Sequence, residues 1–149
     1  MKETAYSIIT TLTLGLLIAI VGFLVVIMVY PFHPATFYRP VIHTPIVSPG
    51  DLFHFDMVLD KHTDISPNIQ RTLVCGDKEN IIVLETAIGT SRTGDKRVRS
   101  IRVEIPKKVD IGDCQILTHI SYSYFGGFRN VIYDIWTDKF SVVPSKDKK

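Results

Sequence analysis

The sequence has 149 residues, of which 46% are hydrophobic and 21% are charged, and its formal net charge at pH 7 is +2. So small a net charge gives no argument for nucleic-acid binding, and we predict no nucleic-acid partner. Outside one apolar stretch, the length suffices for a single domain with one core but not for two.

The first predicted element is a membrane-spanning helix over residues 7–30. This stretch contains no charged residue and no proline, and as a helix it matches the roughly 30 Å hydrocarbon core of a bilayer. A cleaved signal peptide has a shorter apolar region that ends at a small-residue site, and no such site follows Tyr30. The pattern therefore predicts a retained anchor in the lipid bilayer of the inner membrane, with a cytoplasmic tip over residues 1–6.

Basic residues near the helix predict its orientation. Lys2 precedes the helix, whereas no Lys or Arg follows it before Arg39. Because basic residues favour the cytoplasmic side, we predict the amino terminus in the cytoplasm and the following domain in the periplasm or outside. Three prolines and several aromatic residues within residues 31–40 predict a stiff, extended stalk at the membrane surface.

Small residues recur at every fourth position of the predicted helix, at Ser7, Thr11, Gly15 and Ala19. Residues at this spacing share one helix face, and small side chains let a second helix approach closely. Two interpretations stay open. The face serves self-association or docking to a partner helix, or the residues reflect the ordinary occurrence of small side chains in membrane helices.

Beyond residue 40 the apolar period changes to two, which is typical of β-strands. Phe53, Phe55 and Met57, for example, alternate with His54 and Asp56. Turn signals at regular spacing divide residues 41–143 into seven or eight short strands. The pattern predicts an all-β domain, an immunoglobulin-like β-sandwich over residues 41–143, followed by a flexible basic tail over residues 144–149.

Cys75 and Cys114 share the alternation of apolar neighbours that we predict to face the core. Two inward-facing cysteines can bridge the two sheets of a sandwich, and the predicted orientation supplies the oxidising space that a disulfide needs. Two buried free thiols are the alternative. We predict the disulfide, and because no C-x-x-C motif occurs we predict no catalytic thiol.

Histidine and aspartate occur two residues apart at His54 and Asp56, and again at His62 and Asp64. On a strand this spacing places both side chains on one face. A metal site needs three or four converging ligands, so we interpret these residues as solvated and predict neither metal nor cofactor. No nucleophile, zinc-protease or phosphate-binding motif occurs, and we predict no enzymatic activity. An enzyme site assembled from scattered residues, such as His54, Asp56 or His119, is the alternative.

Two groups of residues are candidate contact surfaces. Arg97, Arg99 and Arg102 lie in the densest basic cluster. They can face an acidic partner or anionic lipid, or they can protect an edge strand from unwanted pairing. Phe125 and Phe128 flank a Gly-Gly turn, where aromatic residues are either binding anchors or ordinary cross-strand pairs.

Four segments occur in an order that resembles a known group of proteins: VSPGDL at 47–52, QRTLVC at 70–75, IPKKVDIGDC at 105–114 and FSV at 140–142. After one membrane span, this order is similar to small single-span proteins of tailed bacteriophages and prophages with an immunoglobulin-like outer domain. The resemblance implies no enzymatic activity and no catalytic residue. Those proteins carry a later Cys-Asn-Pro segment, whereas no cysteine follows Cys114 here, so the resemblance implies no disulfide pattern.

These observations support two functional hypotheses besides the enzyme. The first is a membrane-anchored β-sandwich that acts by protein–protein contact at the cell envelope, and in a phage setting by modifying the host envelope. The second is a structural accessory subunit of a larger membrane complex, docked through the small-residue face of the helix. A homo-oligomer formed through the same helix face is a separate expectation.

Overall fold

The computed structural model describes residues 2–29, 32–76, 80–90 and 92–145. The chain divides into two compact units, residues 1–32 and residues 33–149, and each is described by itself. Residues 30 and 31, where the predicted span meets the predicted stalk, lie outside the described residues, as do residues 146–149 of the predicted tail.

The first unit contains one helix, α1, which spans Lys2–Val29. Within it, Ile8–Val29 is 22 residues long and is apolar enough to cross a membrane, by length and composition. Thr13 fits this apolar helix because its hydroxyl donates to the carbonyl oxygen of Ile9 at 2.7 Å. The small residues keep their four-residue spacing along α1, at Ser7, Thr11, Gly15 and Ala19. The side chain of Ser7 lies outside the described part of the chain.

The second unit consists of strands joined by turns. The strands are β1 (Ala35–Phe37), β2 (Val41–Ile42), β3 (Ile46–Val47), β4 (Leu52–Lys61), β5 (Asn68–Cys75), β6 (Asn80–Ile88), β7 (Gly94–Glu104), β8 (Gly112–Tyr124), β9 (Arg129–Trp136) and β10 (Phe140–Val142). A short 3₁₀ turn, Phe125–Gly127, joins β8 to β9. Positive φ angles at both glycines of the turn, +67° and +99°, explain why glycine occupies these positions.

These strands form a four-stranded sheet and a six-stranded sheet. In the four-stranded sheet, β4 pairs with β7 on one side and successively with β2 and β1 on the other, always antiparallel. The six-stranded sheet has the order β3-β10-β8-β5-β6, and β9 also pairs with β8. The pair β3 and β10 is parallel, whereas the other neighbours in this sheet are antiparallel.

Both sheets contribute to one hydrophobic core. On β4, Phe53, Phe55 and Met57 are buried, as the period-two alternation predicts. The six-stranded sheet contributes buried residues such as Ile116 and Phe140. The rings of Phe53 and Phe140 stack with their centroids 4.0 Å apart, so this aromatic pair joins the inner faces of the two sheets.

The chain changes sheets near its first strands. β2 pairs with β4, whereas β3 pairs with β10 of the other sheet, so the chain passes from one sheet to the other between residues 42 and 46. Residues 31–40, predicted as a free extended stalk, contain β1, which pairs with residues 59–61 of β4. β4 is longer than β2, and its far end offers backbone groups that β1 satisfies. The strand-forming part of the chain therefore begins before residue 41.

Cys75 and Cys114 form a disulfide. The two residues stand directly opposite each other on β5 and β8, which are neighbours in the six-stranded sheet. The expectation of a bridge between the two sheets is therefore wrong. Both side chains point into the core. Because the two cysteines are direct register partners on neighbouring strands, the disulfide forms within one sheet and not between the two sheets.

A hydrogen bond fastens the segment after β1 to the four-stranded sheet. The hydroxyl of Tyr38 donates to Oδ2 of Asp60 at 2.6 Å. This bond, together with one from the backbone N–H of Lys96, holds the pKa of Asp60 below its usual value. The same hydrogen bond to Asp60 raises the pKa of Tyr38. The folded domain therefore favours a charged Asp60 carboxylate.

Acid should weaken the domain partly through Asp60. A carboxyl whose pKa is lowered by folding stabilises the fold above its unfolded pKa, near 3.9, and that contribution is lost as the pH falls through the folded pKa. We expect Asp60→Asn and Tyr38→Phe to be less stable than wild type at pH 6 and to lose less of their melting temperature between pH 5 and pH 3. Thermal unfolding followed by circular dichroism measures both quantities. Equal losses in all three proteins would contradict the prediction.

Candidate functional site

The outer face of the four-stranded sheet gathers two imidazoles and a carboxylate. His54 and Asp56 lie two residues apart on β4, on the side opposite the buried Phe53 and Phe55. His43 follows β2, and its backbone N–H donates to the carbonyl oxygen of His54 at 2.9 Å. The pairing of β2 with β4 therefore places a third side chain beside the two that the spacing along β4 aligns.

The ligand atoms of His43, His54 and Asp56 all lie within 4.8 Å of one another. Nε2 of His43 is 2.8 Å from Oδ2 of Asp56, and Nε2 of His54 is 3.7 Å from Oδ1. The two imidazole rings lie with their centroids 4.6 Å apart. Ser100 on β7 donates its hydroxyl to Oδ1 of Asp56 at 2.6 Å and so fixes the carboxylate from the third strand. We call these three residues, without Ser100, the His-His-Asp cluster.

The His-His-Asp cluster favours an ionised carboxylate. Hydrogen bonds from Ser100 and His43 hold the pKa of Asp56 below its usual value. Nε2 of His54 is enclosed, and no hydrogen-bond partner lies beside it in the described structure. The cluster thus combines a charged oxygen ligand, a partnered imidazole and an imidazole with an unused ring nitrogen.

The remaining histidines of the sequence prediction have other partners. His62 places Nε2 3.3 Å from the hydroxyl of Thr36, across the pair of β1 and β4. His119 on β8 places Nδ1 2.6 Å from Oδ1 of Asp134 on β9. Because β8 belongs to the six-stranded sheet, His119 lies on a different sheet from His54 and does not join the His-His-Asp cluster.

The two predicted contact surfaces lie on different sheets. Arg97, Arg99 and Arg102 belong to β7, which among the described strands pairs with β4 alone. Arg97 and Arg99 share one face of β7 and Arg102 lies on the other, and charged residues on such an edge strand prevent unwanted strand pairing. Phe125 and Phe128 lie at the turn between β8 and β9 of the other sheet, where their exposed fractions are 43% and 83%. The structure therefore does not join the two groups into one surface.

A largely apolar row of half-buried and exposed residues crosses four strands of the six-stranded sheet on its outer face. The register pairs Val83 with Thr72, Thr72 with Leu117 and Leu117 with Trp136, so one row runs over β6, β5, β8 and β9. We call these four residues the outer-face row. Val83 is 56% exposed and Trp136 is 43% exposed, and the neighbouring Ile81 is 61% exposed. The sequence pattern did not reveal this row because it depends on the order of strands that are distant in sequence.

A cleft of about 470 Å³ is lined by residues of both sheets, among them the buried basic side chains of Lys61 and Arg71. Lys61 is 2% exposed and donates to the carbonyl oxygen of Thr90. Burial lowers the pKa of Lys61. Arg71 pairs with Glu85 across β5 and β6. Alternation with Phe53 along β4 turns Lys61 inward, which its charge alone would not suggest.

Comparisons with known proteins assign no family. Neither a protein-family model nor a curated protein matches the sequence. One solved structure that is similar to the chain is the Pseudomonas fluorescens alkylpurine DNA glycosylase AlkC bound to DNA containing an abasic site analog, with 7% sequence identity and a TM-score of 0.37. The similarity covers 68% of this chain and 30% of that chain, so this chain spans less than a third of the glycosylase. A likeness this distant carries no conclusion about fold or function.

Proposed function

We propose that the protein is a membrane-anchored, outward-facing immunoglobulin-like β-sandwich that binds a protein partner at the cell envelope. In this proposal α1 stays in the inner membrane, with the amino terminus in the cytoplasm and the strands in the periplasm or outside. The apolar segment Ile8–Val29 supports the anchor. The disulfide between Cys75 and Cys114 supports an oxidising compartment for the domain.

The strand order supports the immunoglobulin-like part of the proposal. Immunoglobulin domains place strands A, B and E in one sheet and strands G, F and C in the other, and variable-type domains add C′ beside C. Naming β2, β4 and β7 as A, B and E gives the first order, and naming β10, β8, β5 and β6 as G, F, C and C′ gives the second. The disulfide departs from that scheme because it joins C to F, whereas antibody domains join B to F.

The outer-face row is the observation that carries the binding function. Exposed apolar residues that lie side by side on neighbouring strands are characteristic of an interaction site, and three of the four residues in this row are apolar. Trp136 stands at one end of the row, and tryptophan is enriched among the residues that dominate binding energy. We therefore infer a partner with an apolar, complementary surface that covers the row.

The resemblance to small single-span phage and prophage proteins suggests the setting of this binding. A domain held at the envelope by α1 would meet host membrane or envelope proteins at high local concentration. We propose modification of the host envelope, such as blocking entry or assisting lysis, as the biological outcome. The role requires no catalytic residue.

Site-specific photo-crosslinking of the full chain in its native membrane tests the binding face. With a photoreactive amino acid in place of Thr72, at the centre of the row, we expect one adduct of defined mass. Trp136→Ala should weaken binding by about 2 kcal/mol, or roughly thirtyfold, because tryptophan is enriched among the residues that dominate binding energy. The yield of the adduct, measured at several expression levels of wild type and of the variant, shows how much the affinity for the partner has fallen.

Phe128→Ala is the matched control because it removes an aromatic residue that is more exposed but lies at the hairpin tip. Its adduct yield should equal that of wild type. Loss with Phe128→Ala and none with Trp136→Ala would move the binding surface to the tip. Loss with Gly15→Leu alone would favour the accessory subunit that docks through α1, because leucine blocks close helix approach at that position.

A further inference from the structure

We propose that His43, His54 and Asp56 bind a divalent transition-metal ion of the zinc class on the outer face of the four-stranded sheet. Two imidazole nitrogens and one carboxylate form the ligand set that such ions prefer, whereas Mg²⁺ and Ca²⁺ prefer oxygen ligands alone. This inference is independent of the proposed partner binding, which concerns the other sheet.

The spacing of the ligand atoms suits a single ion. Zinc lies about 2.0–2.2 Å from nitrogen and oxygen ligands, so tetrahedral ligands stand roughly 3.3 Å from each other. Nε2 of His43 is 2.8 Å from Oδ2 of Asp56, Nε2 of His54 is 3.7 Å from Oδ1, and the ligand atoms of all three residues lie within 4.8 Å of one another. Small side-chain rotations would therefore bring the three ligands around one ion.

The enclosed Nε2 of His54 is the observation that distinguishes this cluster from an ordinary surface ion pair. A buried ring nitrogen normally has a hydrogen-bond partner, because leaving it unpaired forfeits its interaction with water. Nε2 of His54 has none in the described structure, and it faces the carboxylate of Asp56. A bound cation would occupy the lone pair of that nitrogen.

The residues around the His-His-Asp cluster orient the carboxylate of Asp56 and leave the cluster partly exposed to solvent. The hydroxyl of Ser100 holds Oδ1 of Asp56, as outer hydrogen bonds do for metal-binding carboxylates. The side chains of His43, His54 and Asp56 are 41%, 29% and 22% exposed, so the cluster lies at the surface although Nε2 of His54 itself is enclosed. Arg102 stands opposite His54 on β7, and its positive charge should make binding weaker than in closed four-ligand sites.

The protein supplies its own matched control. His119 and Asp134 form a comparable exposed pair on the six-stranded sheet, with Nδ1 and Oδ1 2.6 Å apart. Among the described residues, the His-His-Asp cluster is the group of three or more ligands with converging atoms, and the pair at His119 does not belong to it. Substitutions in the His-His-Asp cluster should therefore weaken metal binding, whereas a substitution of His119 should not.

The test titrates Zn²⁺ alone into the full chain in detergent micelles, prepared without a histidine tag and stripped with a chelator, against a chromogenic zinc indicator. We expect one equivalent to bind. His43→Gln and His54→Gln should each lower the association constant at least tenfold, whereas His119→Gln should leave it unchanged. Circular dichroism of each variant checks that the strands remain folded.

X-ray absorption of the zinc-loaded wild type decides the assignment without any variant. Two imidazoles and additional oxygen ligands at about 2.0–2.2 Å are expected. A first shell without two imidazoles would overturn the proposal. So would the absence of stoichiometric binding in wild type, or an equal loss of affinity in His119→Gln. Each of these results leaves the partner-binding proposal untouched, because that proposal is measured by crosslinking on the other sheet.

Discussion

Replacing Phe53 with alanine should lower the free energy of unfolding by about 3–5 kcal/mol, the usual range for removing a buried aromatic ring. Phe53 is fully buried, and its ring stacks on that of Phe140 from the other sheet. It also contacts the ring of Phe55 at a centroid distance of 5.6 Å. The change would therefore open a cavity where the two inner faces meet, a place that neither sheet can close by itself.

Urea denaturation of the full chain in micelles measures this loss. The chain has one tryptophan, Trp136, which reports unfolding of the six-stranded sheet although the mutated residue lies on the other. Phe128→Ala is the matched control, because the same side chain is removed where it is 83% exposed. We expect that control to stay within about 0.5 kcal/mol of wild type. If Phe53→Ala lowers the free energy of unfolding as little as Phe128→Ala does, the packing of the two sheets does not depend on the ring pair.

The strands of this domain are largely predictable because burial on one face imposes a period of two. The alternation of Phe53, Phe55 and Met57 predicts the inner face of β4, and the structure buries those three residues. Alternation does not reveal β1, since three residues are too few to establish a period. The same alternation extends to Lys61 and turns it inward, although its charge suggests exposure.

The candidate sites were less predictable because each depends on which strands are neighbours. Spacing along β4 aligns His54 with Asp56, but His43 joins them only because β2 pairs beside β4. Likewise, Leu117 and Trp136 are distant in sequence and become neighbours through the pairing of β8 with β9. The disulfide shows the same dependence. Parity places both cysteines inward, but only the strand order shows that they bridge one sheet.

Removing the disulfide should have the second large effect on stability. Cys75 and Cys114 are 39 residues apart, and the chain-entropy account gives about 4 kcal/mol for closing a loop of that length. We therefore expect the free energy of unfolding of the double variant Cys75→Ala and Cys114→Ala to be lower than that of wild type by about 4 kcal/mol. The variant should unfold at a lower urea concentration. Wild type treated with reductant should behave like the variant. If neither differs from oxidised wild type, the crosslink does not constrain the unfolded chain.

The oxidation state of the same pair in intact cells tests the proposed orientation. With the domain in an oxidising compartment, Cys75 and Cys114 should resist mass-tagged alkylation after denaturation and should accept two tags only when reductant is added first. The pair is buried at the junction of β5 and β8, so denaturation is needed to separate protection by burial from protection by oxidation. Two tags without reductant would mean that the domain lies in a reducing compartment. The amino terminus would then lie outside, and partners and metal would have to be sought in the cytoplasm.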